Sequence, residues 1–273
     1  RRYFQKQLTS SITLKTGVDM TKRTIWLLLW VILPALSFAK DDINTLFDKG
    51  NLQYKQGHYK QALSLYQQVL DQGYESGSLY FNMGNASYKD NDIAQAIWYY
   101  EKAHRLSPSD GDISINLRLA NLKTADRIDT VPELFFVRWW HSLFLSFSLD
   151  TLAVLTILSI LVASALFILF VFAKTVSAKK SSFYGGIVLL VIGLFFMLLA
   201  NRQSAYFGGK HQAIVFSGSS ILKGAPDNNA ANLTTIHEGT KVNLIQRSNN
   251  GWIRISLSNG NEGWIRAEDV KEI

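Results

Sequence analysis

The sequence predicts a multidomain protein: all-α helical hairpins, then a two-helix transmembrane hairpin, then a C-terminal all-β barrel. Three observations predict it. The first half repeats itself at a constant interval, the middle holds two long charge-free apolar runs, and the end is a series of short β-prone runs between Gly and Asn turns. Charge is distributed along the same divisions. Of the net charge of +7, residues 1–39 carry +5, residues 40–130 carry −2 and residues 210–273 carry +1. Neither soluble part is basic enough to leave a nucleic-acid footprint, so no nucleic-acid partner is expected.

Met20 opens an export pattern. Lys22 and Arg23 form a basic start, Ile25 to Leu36 is apolar, and Ser37-Phe38-Ala39 is a small-x-small cleavage site. The apolar run falls short of the roughly 20 residues that a spanning helix needs. Residues 20–39 therefore read as a signal peptide, residues 1–19 as an upstream extension and Lys40 as the first residue after cleavage. An uncleaved N-terminal anchor is the other reading.

The repeat follows. Gly50 recurs as Gly84, Tyr54 as Tyr88, Ala62 as Ala96 and Tyr66 as Tyr100, all at one and the same interval. Each unit reads as helix, short polar turn, helix. Small residues let paired helices approach, tyrosines fill the space between hairpins, and Pro108 stops the second unit because proline cannot continue a helix. Period and pattern resemble the tetratricopeptide repeat, with repeats at 43–76 and 77–110 inside a domain of residues 40–128. A capping helix is expected over 112–125, with Asp112 as N-cap. Its apolar stripe is read as Ile115, Leu119 and Leu122. Two repeats bury little alone, so the cap or a partner must complete the core.

The resemblance implies peptide binding on the concave face built by the first helix of each pair. The candidate residues there are Asn51, Tyr54, Lys55, Asn82, Asn85, Tyr88 and Lys89. Asn51 and Asn82 fall where carboxylate-clamp members keep asparagine. That clamp's basic positions are Phe47, Asp112 and Asn116 here, against capture of a terminal carboxylate. The plainer alternative is that the tyrosines are core and the asparagines merely solvated.

Residues 129–150 form an aromatic juxtamembrane segment, from Pro132 and Glu133 through Phe135, Phe136, Trp139 and Trp140, suited to the headgroup level. Residues 151–173 lack charge and would span about 35 Å as a helix. Residues 183–200 form a second such run. The loop 174–182 between them carries Lys174, Lys179 and Lys180 and no acid, so it is expected on the cytoplasmic side. Both flanking domains then lie outside, in agreement with the export pattern. Ser159, Ala163, Gly185, Gly186 and Gly193 offer small surfaces for helix packing. Neither run contains Asp, Glu, Lys, Arg or His, which argues against a transporter.

From residue 210 to 273 the runs Ala213–Val215, Lys241–Ile245, Gly251–Ile255 and Gly263–Ile265 read as strands, with hairpin signals at Asn250-Gly251 and Asn259-Gly260. Leu222-Lys223-Gly224-Ala225-Pro226, Leu233 to Thr240 and the hairpin containing Trp252 and Trp264 resemble the bacterial SH3 domain. Lys223 stands near that family's usual arginine. Trp252 and Trp264 are either ligand platforms or barrel core, and large aromatics are mostly core.

The chain has no cysteine, and its five histidines lack metal-ligand spacing, so no cofactor or metal is expected. GxSxG, SxxK, Walker A and HExxH motifs do not occur, so it is read as no enzyme. The complete order is similar to the BatE family of the Bacteroides aerotolerance (Bat) system. That resemblance implies an inner-membrane protein with both soluble domains periplasmic. It also implies partners among von Willebrand A-domain membrane proteins and a MoxR-type ATPase system, besides the lipid bilayer. The competing reading is an envelope sensor or anchor whose SH3-like domain binds peptidoglycan.

Overall fold

A computed structural model describes residues 40–127 and 134–273. The signal-peptide and extension readings, and Pro132 and Glu133, lie outside them. Helices α1 (Lys40–Lys55), α2 (Tyr59–Asp71), α3 (Gly77–Lys89) and α4 (Ile93–Leu106) form two antiparallel hairpins. Ser76 caps α3 by accepting from the Leu79 amide at 3.1 Å, and Asp92 caps α4 by accepting from the Gln95 amide at 3.0 Å.

The constant repeat spacing has a packing cause. A Cβ built on Gly50 would lie 2.4 Å from the Tyr66 ring, and one on Gly84 would lie 2.5 Å from the Tyr100 ring. The missing side chains are the sockets into which those rings fit. Tyr66 and Tyr100 are buried, with Ala62 and Ala96 beside them.

The cap differs from the sequence reading. Helix α5 spans Gly111–Asn121, and its N-cap is Asp110, whose carboxylate accepts from the amides of Asp112 and Ile113. Its buried side is Ile113 and Ala120, with Leu117 half-buried, whereas Ile115, Leu119 and Leu122 are exposed. Both sets have helical spacing. The array is on only one side of the helix, so only one set is covered.

Helix α6 (Phe135–Phe144) carries the juxtamembrane aromatics. Phe135, Phe136 and Trp139 are exposed, while Phe144 is buried against Leu152 and Leu199. Helices α7 (Leu149–Phe172) and α8 (Val176–Gly208) are long and apolar enough to cross a membrane. The expected loop 174–182 is therefore mostly helix. Charges near an end do not stop a helix, and an apolar run marks only the part suited to hydrocarbon. At 33 residues α8 is about 50 Å long, exceeding a bilayer core of roughly 30 Å. Helices α7 and α8 meet through small residues. Ser159 and Ala163 of α7 and Gly186 and Gly193 of α8 are buried, and a Cβ on Gly193 would lie 3.2 Å from Ser159 Cβ.

The last segment is one antiparallel sheet of seven strands: β1 (Gln212–Val215), β2 (Ser219–Lys223), β3 (Asn232–His237), β4 (Lys241–Arg247), β5 (Trp252–Ser256), β6 (Glu262–Arg266) and β7 (Val270–Glu272). Its order is β3-β2-β6-β5-β4-β1-β7. Ala213 and Val215 of β1 share one buried cluster with Leu222 of β2 and Ile236 of β3. The sheet must therefore coil upon itself, as in a small barrel.

The sheet domain docks on α4. Ile214 is buried in the helical array's own core, with Phe216 and Ile273 packed against it. Trp98 donates its indole N–H to Glu272 O at 2.6 Å, and Lys271 Nζ lies 3.6 Å from the Trp98 ring centre. Lys241 pairs with Glu101 at 2.7 Å. Beyond α5, Asp126 accepts from the His237 amide at 2.7 Å, from Thr240 Oγ1 at 2.7 Å, and contacts His237 Nδ1 at 2.8 Å. Gly239 makes the approach possible. Its φ is +83°, and an added Cβ would lie 2.7 Å from Thr124. Arg105 of α4 donates to Ile273 O and, at 3.1 Å, to Phe207 O near the end of α8. One guanidinium thus ties the helical array to the sheet domain and to α8.

Candidate functional site: the concave groove

The first helices α1, α3 and α5 lie side by side, and their facing residues form the groove. Two matching hydrogen-bond ladders build its floor. Asn51 Oδ1 accepts from Tyr66 Oη at 2.8 Å and from Asn82 Nδ2 at 2.9 Å. Asn85 Oδ1 accepts from Tyr100 Oη at 2.7 Å and from Asn116 Nδ2 at 2.8 Å. Every member of the second ladder stands one full repeat after its counterpart in the first. Burial pushes the Tyr66 and Tyr100 phenols well above the usual tyrosine range, so both stay protonated and donate.

The ladders decide which amide atoms are left for a ligand. Asn51 and Asn85 use their oxygen on two donors and retain the Nδ2 group as donor. Asn82 and Asn116 use one N–H and retain the oxygen as acceptor. A row of alternating amide donors and acceptors matches the main chain of an extended peptide. Two adjoining hollows carry this chemistry. One of about 290 Å³ is lined by Asn51, Tyr54, Lys55, Tyr66, Asn82 and Asn85. The other, of about 200 Å³, is lined by Tyr54, Asn85, Tyr88, Lys89, Tyr100, Asn116 and Leu119. Among the described residues no carboxylate lines either hollow, and Lys123 Nζ sits 4.2 Å above the Tyr88 ring. Its field favours a segment with acidic side chains.

All seven groove residues named from the sequence line these hollows. They are not equivalent. Asn51 and Asn85 hold the hydroxyls of buried tyrosines, so their removal disturbs the fold as well as the surface. Lys55 and Lys89 are exposed and have no such duty. The sequence reading missed Tyr66 and Tyr100 as hydrogen-bond donors, Asn116 as a ladder member and Leu119 as part of the floor. The repeat interval from Asn82 to Asn116 was the available signal.

The sheet domain presents less. Trp252 is buried, with the Arg266 guanidinium 4.3 Å from its ring centre, so it is core rather than platform. Trp264 is half-buried on β6, in register with Lys223 and Arg254. Lys223 Nζ donates to Asn228 O, Ala230 O and Asn232 Oδ1 at 2.9, 3.2 and 2.7 Å. That ammonium organises the loop between β2 and β3.

The family described as bacterial SH3 domain matches residues 219–271, from β2 into β7. Among solved structures, the crystal structure of PcrH in complex with the chaperone binding region of PopB is similar at 13% identity. That match covers 62% of this chain and 97% of the other, with a TM-score of 0.30. No curated protein matches the chain in sequence.

Proposed function

We propose that this chain is a non-catalytic scaffold of the inner membrane that captures an extended, acidic segment of a partner protein in its concave groove. The observation that carries this reading is the groove itself. It combines two amide ladders, flanking lysines and, among the described residues, no lining carboxylate, and it lies on the first helices while the sheet domain occupies α4. Helices α7 and α8 anchor the unit, and both soluble domains stand in the periplasm. The domain order supports a role in a Bat-type aerotolerance or envelope-stress complex, with von Willebrand A-domain membrane proteins and a MoxR-type ATPase system as partners. With no cysteine in the chain, an effect on oxygen tolerance runs through assembly rather than thiol chemistry.

Topology is tested with fusions in a Gram-negative host. Alkaline phosphatase joined after Ile273 is expected to be active, and the same enzyme joined after Lys180 inactive. The reverse pattern would end this topology. The groove is tested with Lys55→Ala, Asn82→Ala and Lys89→Ala combined. Partner capture is expected to fall by at least about tenfold, since a few anchors dominate such surfaces. The helical circular-dichroism signal should stay unchanged. Undiminished capture together with binding of the chain to purified sacculi would instead support the peptidoglycan reading.

A further inference from the structure

Helix α5 continues the register of the first helices. Ile113 and Ala120, both buried, stand one full repeat after Leu79 and Ala86, which are also buried. In each complete hairpin the first helix is covered by its own second helix at equivalent positions. Phe47 packs on Tyr66 with ring centres 5.9 Å apart, and Phe81 packs on Tyr100 at 6.0 Å. Gly50 and Gly84 receive those same tyrosine rings. The corresponding residues of α5 are Ile115 and Arg118, with Leu122 matching Tyr54 and Tyr88. No second helix covers them among the described residues. Ile115 is 53% exposed and Leu122 66% exposed. Among the described residues nothing supplies the missing helix there, and those just beyond α5 turn toward the sheet domain, where Asp126 is held by His237 and Thr240.

We propose that α5 is the first helix of a third hairpin whose second helix comes from another protein. That partner presents an amphipathic helix with aliphatic residues on both sides of one acidic residue. The acid follows from Arg118. This residue stands where the other hairpins have glycine, so a tyrosine ring cannot enter there. Arg118 is exposed and has no ion-pair partner among the described residues. The same charge argues against a second copy of this chain. Antiparallel pairing of two α5 helices centres between Ile115 and Leu122, which sets one Arg118 beside the other, like charge against like. This face adjoins the groove floor, to which Leu119 and Asn116 belong, but Ile115 and Arg118 line neither hollow.

The test uses the full chain in nanodiscs and labelled helical peptides with the α4 sequence, Ile93 to Leu106. One peptide carries Tyr100→Glu and the other Tyr100→Lys. Fluorescence anisotropy is expected to show the glutamate peptide binding the wild-type chain. Ile115→Glu should weaken that binding at least about tenfold, as should Arg118→Glu. Arg118→Glu should in turn prefer the lysine peptide. Both positions are exposed, so the circular-dichroism spectrum should not change. The groove variant Lys89→Ala should bind the glutamate peptide normally, which separates this face from the groove. The proposal is overturned if the glutamate peptide fails to bind or binds no better than the lysine peptide. It is also overturned if Ile115→Glu changes nothing, or if sedimentation shows a wild-type dimer that Ile115→Glu dissolves.

Discussion

Tyr100→Ala is expected to unfold the helical array at temperatures the wild type survives. The ring is 1% exposed, fills the socket at Gly84 and donates to Asn85 at 2.7 Å. Emptying a buried aromatic site costs about 3–5 kcal/mol. That is a large share of the roughly 5–15 kcal/mol typical of a domain. Tyr100→Phe keeps the ring and loses one hydrogen bond, so about 0.5–1.5 kcal/mol is expected. Gly84→Ala attacks the same contact from the other side, because the new methyl would lie 2.5 Å from the ring. Tyr54→Ala should cost less than Tyr100→Ala, since Tyr54 is half-buried in the groove wall. Thermal melts of the full chain, followed by circular dichroism, check the order. Equal losses for Tyr54→Ala and Tyr100→Ala would mean that the socket is not where the array's stability resides.

Asp126→Ala should release the sheet domain from α4 while leaving both folds intact. Three donors converge on that carboxylate, and hydrogen bonds to a charged group are each worth about 1.5–3 kcal/mol. Burial alone would raise the Asp126 carboxyl. The bonds from the His237 ring, the Thr240 hydroxyl and the His237 amide outweigh burial and hold it below its ordinary value. A carboxyl lowered in the native state contributes fully above its unfolded pKa of about 3.9. The contribution is lost as pH falls through the lower native value. Docking through Asp126 should therefore persist from neutral pH to about 5 and fail only in stronger acid. The array weakens earlier. Burial pushes His104 on α4 down, so its unfolded form binds a proton first and stability falls as pH drops below about 6.5. Because the chain has no cysteine, a pair introduced on the two domains would report their separation by energy transfer. No change in separation for Asp126→Ala would place the docking energy in Ile214, Trp98 and Arg105 instead.

The repeat was legible because its cause is local and occurs twice: a glycine and a tyrosine at fixed spacing in each hairpin. The two long apolar helices were legible because long runs without charge stand out in the sequence. The buried side of α5 was not. Ile115, Leu119 and Leu122 have the same helical spacing as Ile113, Leu117 and Ala120, and only the neighbouring helix selects between them. The cap was misplaced by two positions because Asp110 and Asp112 flank one glycine and both suit the role. The full length of α8 was hidden by its polar ends, which form helix as readily as its apolar middle. In the groove, the amides were visible as residues but their bonds to Tyr66 and Tyr100 were not, because those bonds need the fold. Docking left no local mark at all. Trp98 and Glu272 are 174 residues apart, and neither looks unusual among its neighbours.

The groove's role as partner site is most directly tested by photo-crosslinking in native membranes. A benzophenone side chain would be placed at position 89 in the groove and, separately, at position 245, where Ile245 is 47% exposed on β4. Crosslinked peptides from the position-89 product should come from a protein partner and map to an extended acidic segment, while position 245 gives no such product. Crosslinks from position 245 alone, whether to protein or to peptidoglycan, would contradict a groove-based scaffold.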